Sequence, residues 1–242
     1  MKINQLKEKT IMESISIPHL LSVIRPNSES PAEQDRRSKL PDQIKGIGKE
    51  GLQILLTELY RGQVEDRGNT FIDIAGTELV ENIEAAAKWM MGSKVKSCLL
   101  LRGTLGSGKT TILEALYSLY HRFCRNVWKC KALDVYEQYQ AKIDKAGSCY
   151  DELKKADFLF LDDLGIESAQ FRNYGIDHAP LPELIYYRYD KQLPTVISTN
   201  LSENLLVNRY GGRVQDRFLE MCTIVRFRAR SYRELLVEDP KE

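Results

Sequence analysis

Gly103-Thr104-Leu105-Gly106-Ser107-Gly108-Lys109-Thr110 carries glycine, lysine and threonine at every fixed position of a phosphate-binding loop, G-x-x-x-x-G-K-[ST]. Before it, Ser97 to Arg102 is apolar enough for a buried strand. After it, Ile112, Ala115, Leu116, Leu119 and Phe123 recur at the offsets that line one face of a helix. A strand, this loop and a helix start, in that order, bring free backbone N–H groups and the positive end of the helix dipole to one point, and the glycines let the backbone curl around an anion there. The predicted cradle for the phosphates of ATP is Gly103, Thr104, Leu105, Gly106, Ser107, Gly108, Lys109, Thr110 and Thr111. Within it Lys109 is placed to reach the β- and γ-phosphates, and the Thr110 hydroxyl to ligate Mg²⁺.

A second run, Phe158-Leu159-Phe160-Leu161-Asp162-Asp163, is apolar up to two terminal carboxylates, which puts the pair at the carboxyl end of a buried strand. Asp162 is the expected Mg²⁺ partner beside Thr110, since a hard cation prefers oxygen ligands. Asp163 is the candidate to orient the attacking water, and its short side chain predicts slow hydrolysis. The strand Thr195 to Asn200 also ends on polar residues, and the neutral amide of Asn200 can hydrogen-bond a γ-phosphate or the lytic water without competing for metal. Farther on, Gly211-Gly212 breaks one helix and Arg213 opens another. Arg213 and Arg217 lie four apart on one face, beside an apolar seam of Val214 and Phe218. Such a helix can hand a guanidinium to the nucleotide of a neighbouring subunit, a contribution worth on the order of 10³ to 10⁵ in rate.

These strands alternate with helical patterns at Leu133 to Ile143 and Pro182 to Asp190, and a last strand runs from Cys222 to Phe227. The alternation predicts an α/β protein with a parallel sheet covered on both faces and a ligand at the carboxyl ends of the strands. Upstream, Leu52, Leu55, Leu56 and Leu59 predict a short helix ending near Gly62. Leu79, Ile83, Ala86, Ala87 and Met90 predict a longer one stopped by Gly92.

Taken in order, GTLGSGKT, FLFLDDLG, VISTN, YGGRVQDRF and Ser231-Tyr232-Arg233 resemble the DnaC/IstB-type branch of the AAA+ ATPases, over roughly Phe71 to Arg233. The resemblance implies a three-layer αβα P-loop core with a five-stranded sheet in the order 5-1-4-3-2 and no C-terminal helical lid. It also implies a small N-terminal segment that grips a partner protein, and ATP-driven homo-oligomerisation around single-stranded DNA. By matching position, Arg217 becomes the arginine acting in trans, Arg213 its companion, and Arg233 a sensor on the nucleotide of its own subunit. The expected division is residues 1–25 as partner-binding segment, 26–70 as linker and short helix, and 71–242 as ATPase domain.

Composition sets the remaining bounds. The 242 residues are 43% hydrophobic, enough for a sizeable core, and the net charge is only +1, so any polyanion must be met by local charge. Arg25 to Asp42 is polar and carries Pro26, Pro31 and Pro41, as a linker would. The five cysteines form no C-x-x-C pair, and the N-terminus lacks an apolar leader, so reduced thiols and a cytoplasmic location are expected, with no membrane segment. Between Arg209 and Arg233 there are seven arginines against two acids, with Arg226, Arg228 and Arg230 alternating along an extended strand end. Tyr136, Tyr139, Phe171 and Tyr174 are candidate platforms for stacking single-stranded bases, with core packing as the alternative.

The expected activity is therefore a slow ATPase stimulated by assembly on DNA, acting as a helicase loader with a replicative helicase as partner. The same engine with a transposase partner gives a transposition helper, and Glu167 to Pro180, longer than the family pattern, leaves that choice open. A P-loop small-molecule kinase is a third reading. It would need an acceptor pocket and an arginine-rich lid, which Asn200 and the G-x-R-x-x-D-R box do not supply.

Overall fold

The structure, a computed structural model, describes residues 44, 46–71, 77–92, 96–167, 171–173 and 176–228; for 171–173, 176 and 177 it describes the backbone. The segment 1–25, the linker to residue 42, Tyr174, Arg230 and Arg233 lie outside the described residues.

Two helices come first, α1 (Gly48–Glu65) and α2 (Glu78–Met91), followed by β1 (Cys98–Gly103), α3 (Lys109–Phe123), β2 (Val127–Lys131) and α4 (Ala132–Ile143). Next are α5 (Tyr150–Lys155), β3 (Phe158–Leu164), a small antiparallel hairpin of β4 (Phe171–Asn173) and β5 (Ile176–His178), and α6 (Pro180–Asp190). The chain then forms β6 (Thr195–Thr199), α7 (Glu203–Tyr210), α8 (Gly212–Met221) and β7 (Cys222–Phe227). Five strands make one parallel sheet, ordered β2-β3-β6-β1-β7. Counted along the chain within the sheet, this is the expected 5-1-4-3-2. No helix follows β7 among the described residues, which end at Arg228.

Strand periodicity sorts the core into two layers, because successive side chains point to opposite faces. Leu99, Leu101, Phe158, Phe160 and Val196 pack against α1, α2 and α3 on one side. Cys98, Leu100, Leu159, Leu161 and Ile197 pack against α4 to α8 on the other. Burial on both faces is why β1 and β3 read as apolar runs, whereas the edge strands β2 and β7 carry charged residues among the apolar ones.

Helix α1 runs through Gly62 to Glu65, a turn beyond the expected stop. Leu52, Leu55, Leu56 and Tyr60 are buried in the same core as Leu113 and Leu116 of α3, and this packing outweighs the weak helix propensity of one glycine. Opposite the carboxyl edge of the sheet, the fully buried Arg188 ties α5 to α6 and β6. Its Nη1 donates to the carbonyls of Leu153 and Ala156 at 3.1 and 2.9 Å, its Nη2 to Pro194 O at 2.7 Å, and its Nε to Thr195 Oγ1 at 2.8 Å.

Candidate nucleotide site

The loop leaves β1 at Gly103 and enters α3 at Lys109, as the spacing predicts. Gly108, the N-cap of α3, has φ +92°, and a Cβ there would stand 2.6 Å from the hydroxyl of Tyr60 on α1, so both backbone and space demand glycine. Lys109 is 5% exposed. Its ammonium donates to Thr104 O at 2.5 Å and lies 3.4 Å from Ser107 Oγ, which itself donates to Thr104 O at 2.7 Å. Burial pulls the Lys109 pKa down to about 8, against the raising pull of the Asp163 and Asp162 carboxylates. A buried ammonium held on neutral oxygens at a helix N-terminus is suited to receive a polyanion.

The two acids sit where β3 ends, in a bulge: the register with β6 shifts between Leu161 and Leu164. Asp162 is buried, and its Oδ1 accepts from Thr110 Oγ1 at 3.1 Å and from Ser198 Oγ in a short bond. Ser198 Oγ in turn accepts from the backbone N–H of Asp163 at 2.8 Å. Asp163 has φ +56°, a left-handed conformation uncommon outside glycine, which turns the chain away from the strand direction at the site. The Thr110 hydroxyl and the Asp162 carboxylate are hard oxygen donors brought into contact from two different elements, and they fit a Mg²⁺ with part of its water shell.

Asn200 directly follows β6, the strand between β1 and β3, and so stands at the same edge of the sheet as the loop and the acids. Arg213 and Arg217 lie on α8, whose Val214 and Phe218 are buried. Arg213 is exposed and Arg217 half-buried. The Arg217 guanidinium lies 4.2 Å from the ring centre of Tyr189 and pairs with Glu220 at 3.6 Å and Asp216 at 3.8 Å. The box arginines are thus surface groups, separate from the cluster of Lys109, Thr110 and Asp162.

Two of the four candidate stacking aromatics belong to the core. Tyr136 is buried, and Tyr139 meets Tyr150 edge-on at 4.9 Å and bonds His178 Nδ1 at 3.2 Å. Tyr136 belongs to the buried cluster on the face of the sheet covered by α4 to α8, and Tyr139, partly buried, packs against it. The Phe171 side chain and Tyr174 lie outside the described residues. Arg226 near the end of β7 and Arg228 just past it are both exposed, as alternation along an extended strand end predicts.

Three contributors were not singled out from the sequence. Ser198 bridges the two acids; its signal is a hydroxyl near the carboxyl end of a strand buried along its whole length. Tyr60 closes the loop from outside. Arg67, just past α1, donates from Nη1 to Thr111 Oγ1 at 3.1 Å and brings a cation to the first turn of α3. Neither of the last two sits in a recognisable motif, so only the fold could bring them in.

A phosphate loop after β1, paired acids on β3 with β6 lying between the two strands, and the sheet order 5-1-4-3-2 together define the AAA+ type of P-loop fold. No protein-family model matches the sequence, and no curated protein does. Among solved structures, the chain is similar to the DnaC helicase loader, with TM-score 0.52, 20% identity, and coverage of 69% of this chain and 98% of that one. It is similar to DnaI with TM-score 0.50, 22% identity, and coverage of 72% and 92%. A DNA replication initiation factor matches with TM-score 0.51 and 17% identity over 65% of this chain and 47% of its own. These likenesses agree with the resemblance carried by the motifs. Among the described residues, no helix is long and apolar enough to cross a membrane.

Proposed function

We propose that this chain is an ATP-hydrolysing AAA+ protein of DNA replication, a helicase loader that assembles on single-stranded DNA. The observation that carries the reading is the contact of Thr110 with Asp162 at 3.1 Å beside the buried ammonium of Lys109: phosphate ligand and metal ligand preassembled on one sheet edge. In this reading Lys109 and the loop N–H groups from Gly106 to Thr111 hold the triphosphate. Thr110 and Asp162 would hold Mg²⁺, which would supply neutralisation of the phosphate charge. Asp163 orients the attacking water and Asn200 hydrogen-bonds it or the γ-phosphate. Arg217, with Arg213 beside it, serves the nucleotide of the adjoining subunit, and Arg233 that of its own. The Asp163 carboxylate, one methylene shorter than glutamate, keeps basal turnover slow until assembly completes the site.

Support for the loader comes from the extent of the likeness, which takes in almost all of the DnaC and DnaI structures, and from the exposed Arg226 and Arg228 at the end of β7 and just past it. Residues 1–25 are proposed to grip the replicative helicase. The test is size-exclusion chromatography with and without a non-hydrolysable ATP analogue and a short oligonucleotide, together with ATP turnover, on wild type and Arg217→Ala. Analogue-dependent assembly and DNA-stimulated turnover, both lost in the variant, are expected. A monomer equally active at every dilution, indifferent to Arg217, would defeat the reading. Pull-down of a transposase rather than a helicase by residues 1–70 would transfer the same engine to transposition, and phosphorylation of a small acceptor faster than ATP hydrolysis would make it a kinase.

A further inference from the structure

Just beyond the paired acids lies a carboxylate that the proposed chemistry does not use. Glu167 is 1% exposed, and its two oxygens face different parts of the fold. Oε2 accepts from the backbone N–H of Gly165 at 2.9 Å, in the turn that leaves Asp163. Oε1 accepts a short bond from the Tyr210 hydroxyl and faces Arg209 Nε at 3.6 Å. Arg209 and Tyr210 are the last two residues of α7, and Gly211 after them caps α8, the helix of Arg213 and Arg217. One planar carboxylate thus joins the turn of the hydrolytic acid to the root of the arginine helix.

The turn has little freedom to move by itself. Gly165 has φ +111°, and a Cβ there would stand 2.5 Å from Leu201 Cδ1, so the backbone is wedged against the residue that follows Asn200. Thr199 Oγ1 donates to Leu164 O at 2.6 Å from the same side. At the other end, burial and the bond to Glu167 raise the Tyr210 phenol well above its ordinary pKa, so it stays a donor. Among the described residues Arg209 Nε is buried with no hydrogen-bond partner, 3.6 Å from Glu167 Oε1, so the network has one further bond to make if α7 shifts toward the turn. An apolar side chain would fill this space without the desolvation cost of a carboxylate, but it could not bond both elements at once.

We propose that Glu167 is a positioning residue that couples the placement of Asp163 to the placement of the Arg213 and Arg217 helix. The proposal deepens the reading above and rests on it for the roles of Asp163 and Arg217. Movement of α8 when a neighbouring subunit docks is passed through Tyr210 and Glu167 to the Gly165 turn, so the hydrolytic acid is set in place only when the arginines are engaged.

The test uses the full chain with Glu167→Gln, which keeps the shape and removes the charge, and Tyr210→Phe, which removes only the hydroxyl. Both should bind the ATP analogue and leave KM within about twofold, while DNA-stimulated kcat falls on the order of 10- to 100-fold. In Glu167→Gln the further loss on adding Arg217→Ala should be much smaller than in wild type, because the two residues act on one step. Additive losses, or an unchanged kcat in both variants, would overturn the coupling. Hydrogen exchange supplies a readout independent of Arg217: in Tyr210→Phe the amides of residues 163–166 should exchange faster, although the substitution lies on α7. Exchange that rises only around residue 210 would also overturn it. If Arg217→Ala is silent in wild type, the intersubunit reading fails, and the exchange result alone decides the tie.

Discussion

Lys109 combines two demands that oppose each other: its charge must be available to phosphate, and the loop buries it. Burial lowers its pKa from the ordinary lysine value to about 8. Because the folded value lies below the unfolded one, the buried charge disfavours the folded state at low pH, and that penalty fades as pH rises from about 8 toward the ordinary value. Nucleotide binding has the opposite preference, since only the ammonium attracts phosphate, and bound phosphates raise the pKa again. Calorimetry in buffers of different ionisation enthalpy should therefore show proton uptake on ATP binding near pH 8.5 and little at pH 7, with affinity falling as pH rises through about 8. Binding without proton exchange at pH 8.5 would contradict the burial argument. At Asp163 the expected outcome is a turnover reduced on the order of 10²-fold or more in Asp163→Asn with analogue binding retained; equal rates would remove this carboxylate from the chemistry. Gly108→Ala should abolish nucleotide binding, measured by equilibrium titration, because its Cβ meets the Tyr60 hydroxyl and its φ is left-handed.

At the level of elements, α1 is the informative case. Read as a short helix beside a linker, it contributes Leu52, Leu55, Leu56 and Tyr60 to the core that also holds α3, and it carries Tyr60 and Arg67 to the phosphate loop. Leu55→Ala should cost about 2–5 kcal/mol in denaturant unfolding. Removal of residues 1–70 takes away, among the described residues, the five buried side chains of Ile44, Leu52, Leu55, Leu56 and Tyr60, worth roughly 1.5–3 kcal/mol each and comparable with the whole stability of a domain, and should leave no cooperative transition. A sharp unfolding transition in that truncation would show that α1 is dispensable. Arg188 plays a similar role at the far edge: without its donors, the carbonyls of Leu153, Ala156 and Pro194 lose partners, and Arg188→Met should destabilise by on the order of 3–5 kcal/mol with ATP binding retained.

For the molecule as a whole, the site is one half of a device that a second copy is proposed to complete. Exposed Arg226 on β7 lies opposite Arg102 of β1, which feeds the phosphate loop, and exposed Arg228 follows β7 directly, so nucleotide and DNA are expected at neighbouring edges of one sheet. With ATP analogue present, affinity for a short single-stranded oligonucleotide should fall with salt at a log–log slope of about −0.7 per neutralised phosphate, and Arg226→Ala with Arg228→Ala should flatten it. A salt-independent affinity, or a slope unchanged in the double variant, would exclude these arginines from the contact.

The phosphate loop, the acid-ending strand and the alternation of strand and helix were legible because each is a local pattern: fixed glycines, runs of apolar residues, and helical offsets. Since parallel sheets admit few orders, those patterns carried the resemblance that implied 5-1-4-3-2. What they could not convey is how distant side chains meet. Ser198 beside Asp162, Tyr60 against Gly108, Arg67 on Thr111 and Glu167 between two elements are each set by tertiary packing between elements rather than by a local sequence pattern. For the same reason Tyr136 and Tyr139, which read equally as stacking platforms or core, were decided only when the fold buried Tyr136 and set Tyr139 against Tyr150 and His178. Local chemistry is written in short windows of sequence; which groups share a buried space depends on closing the whole sheet, and only the folded chain does that.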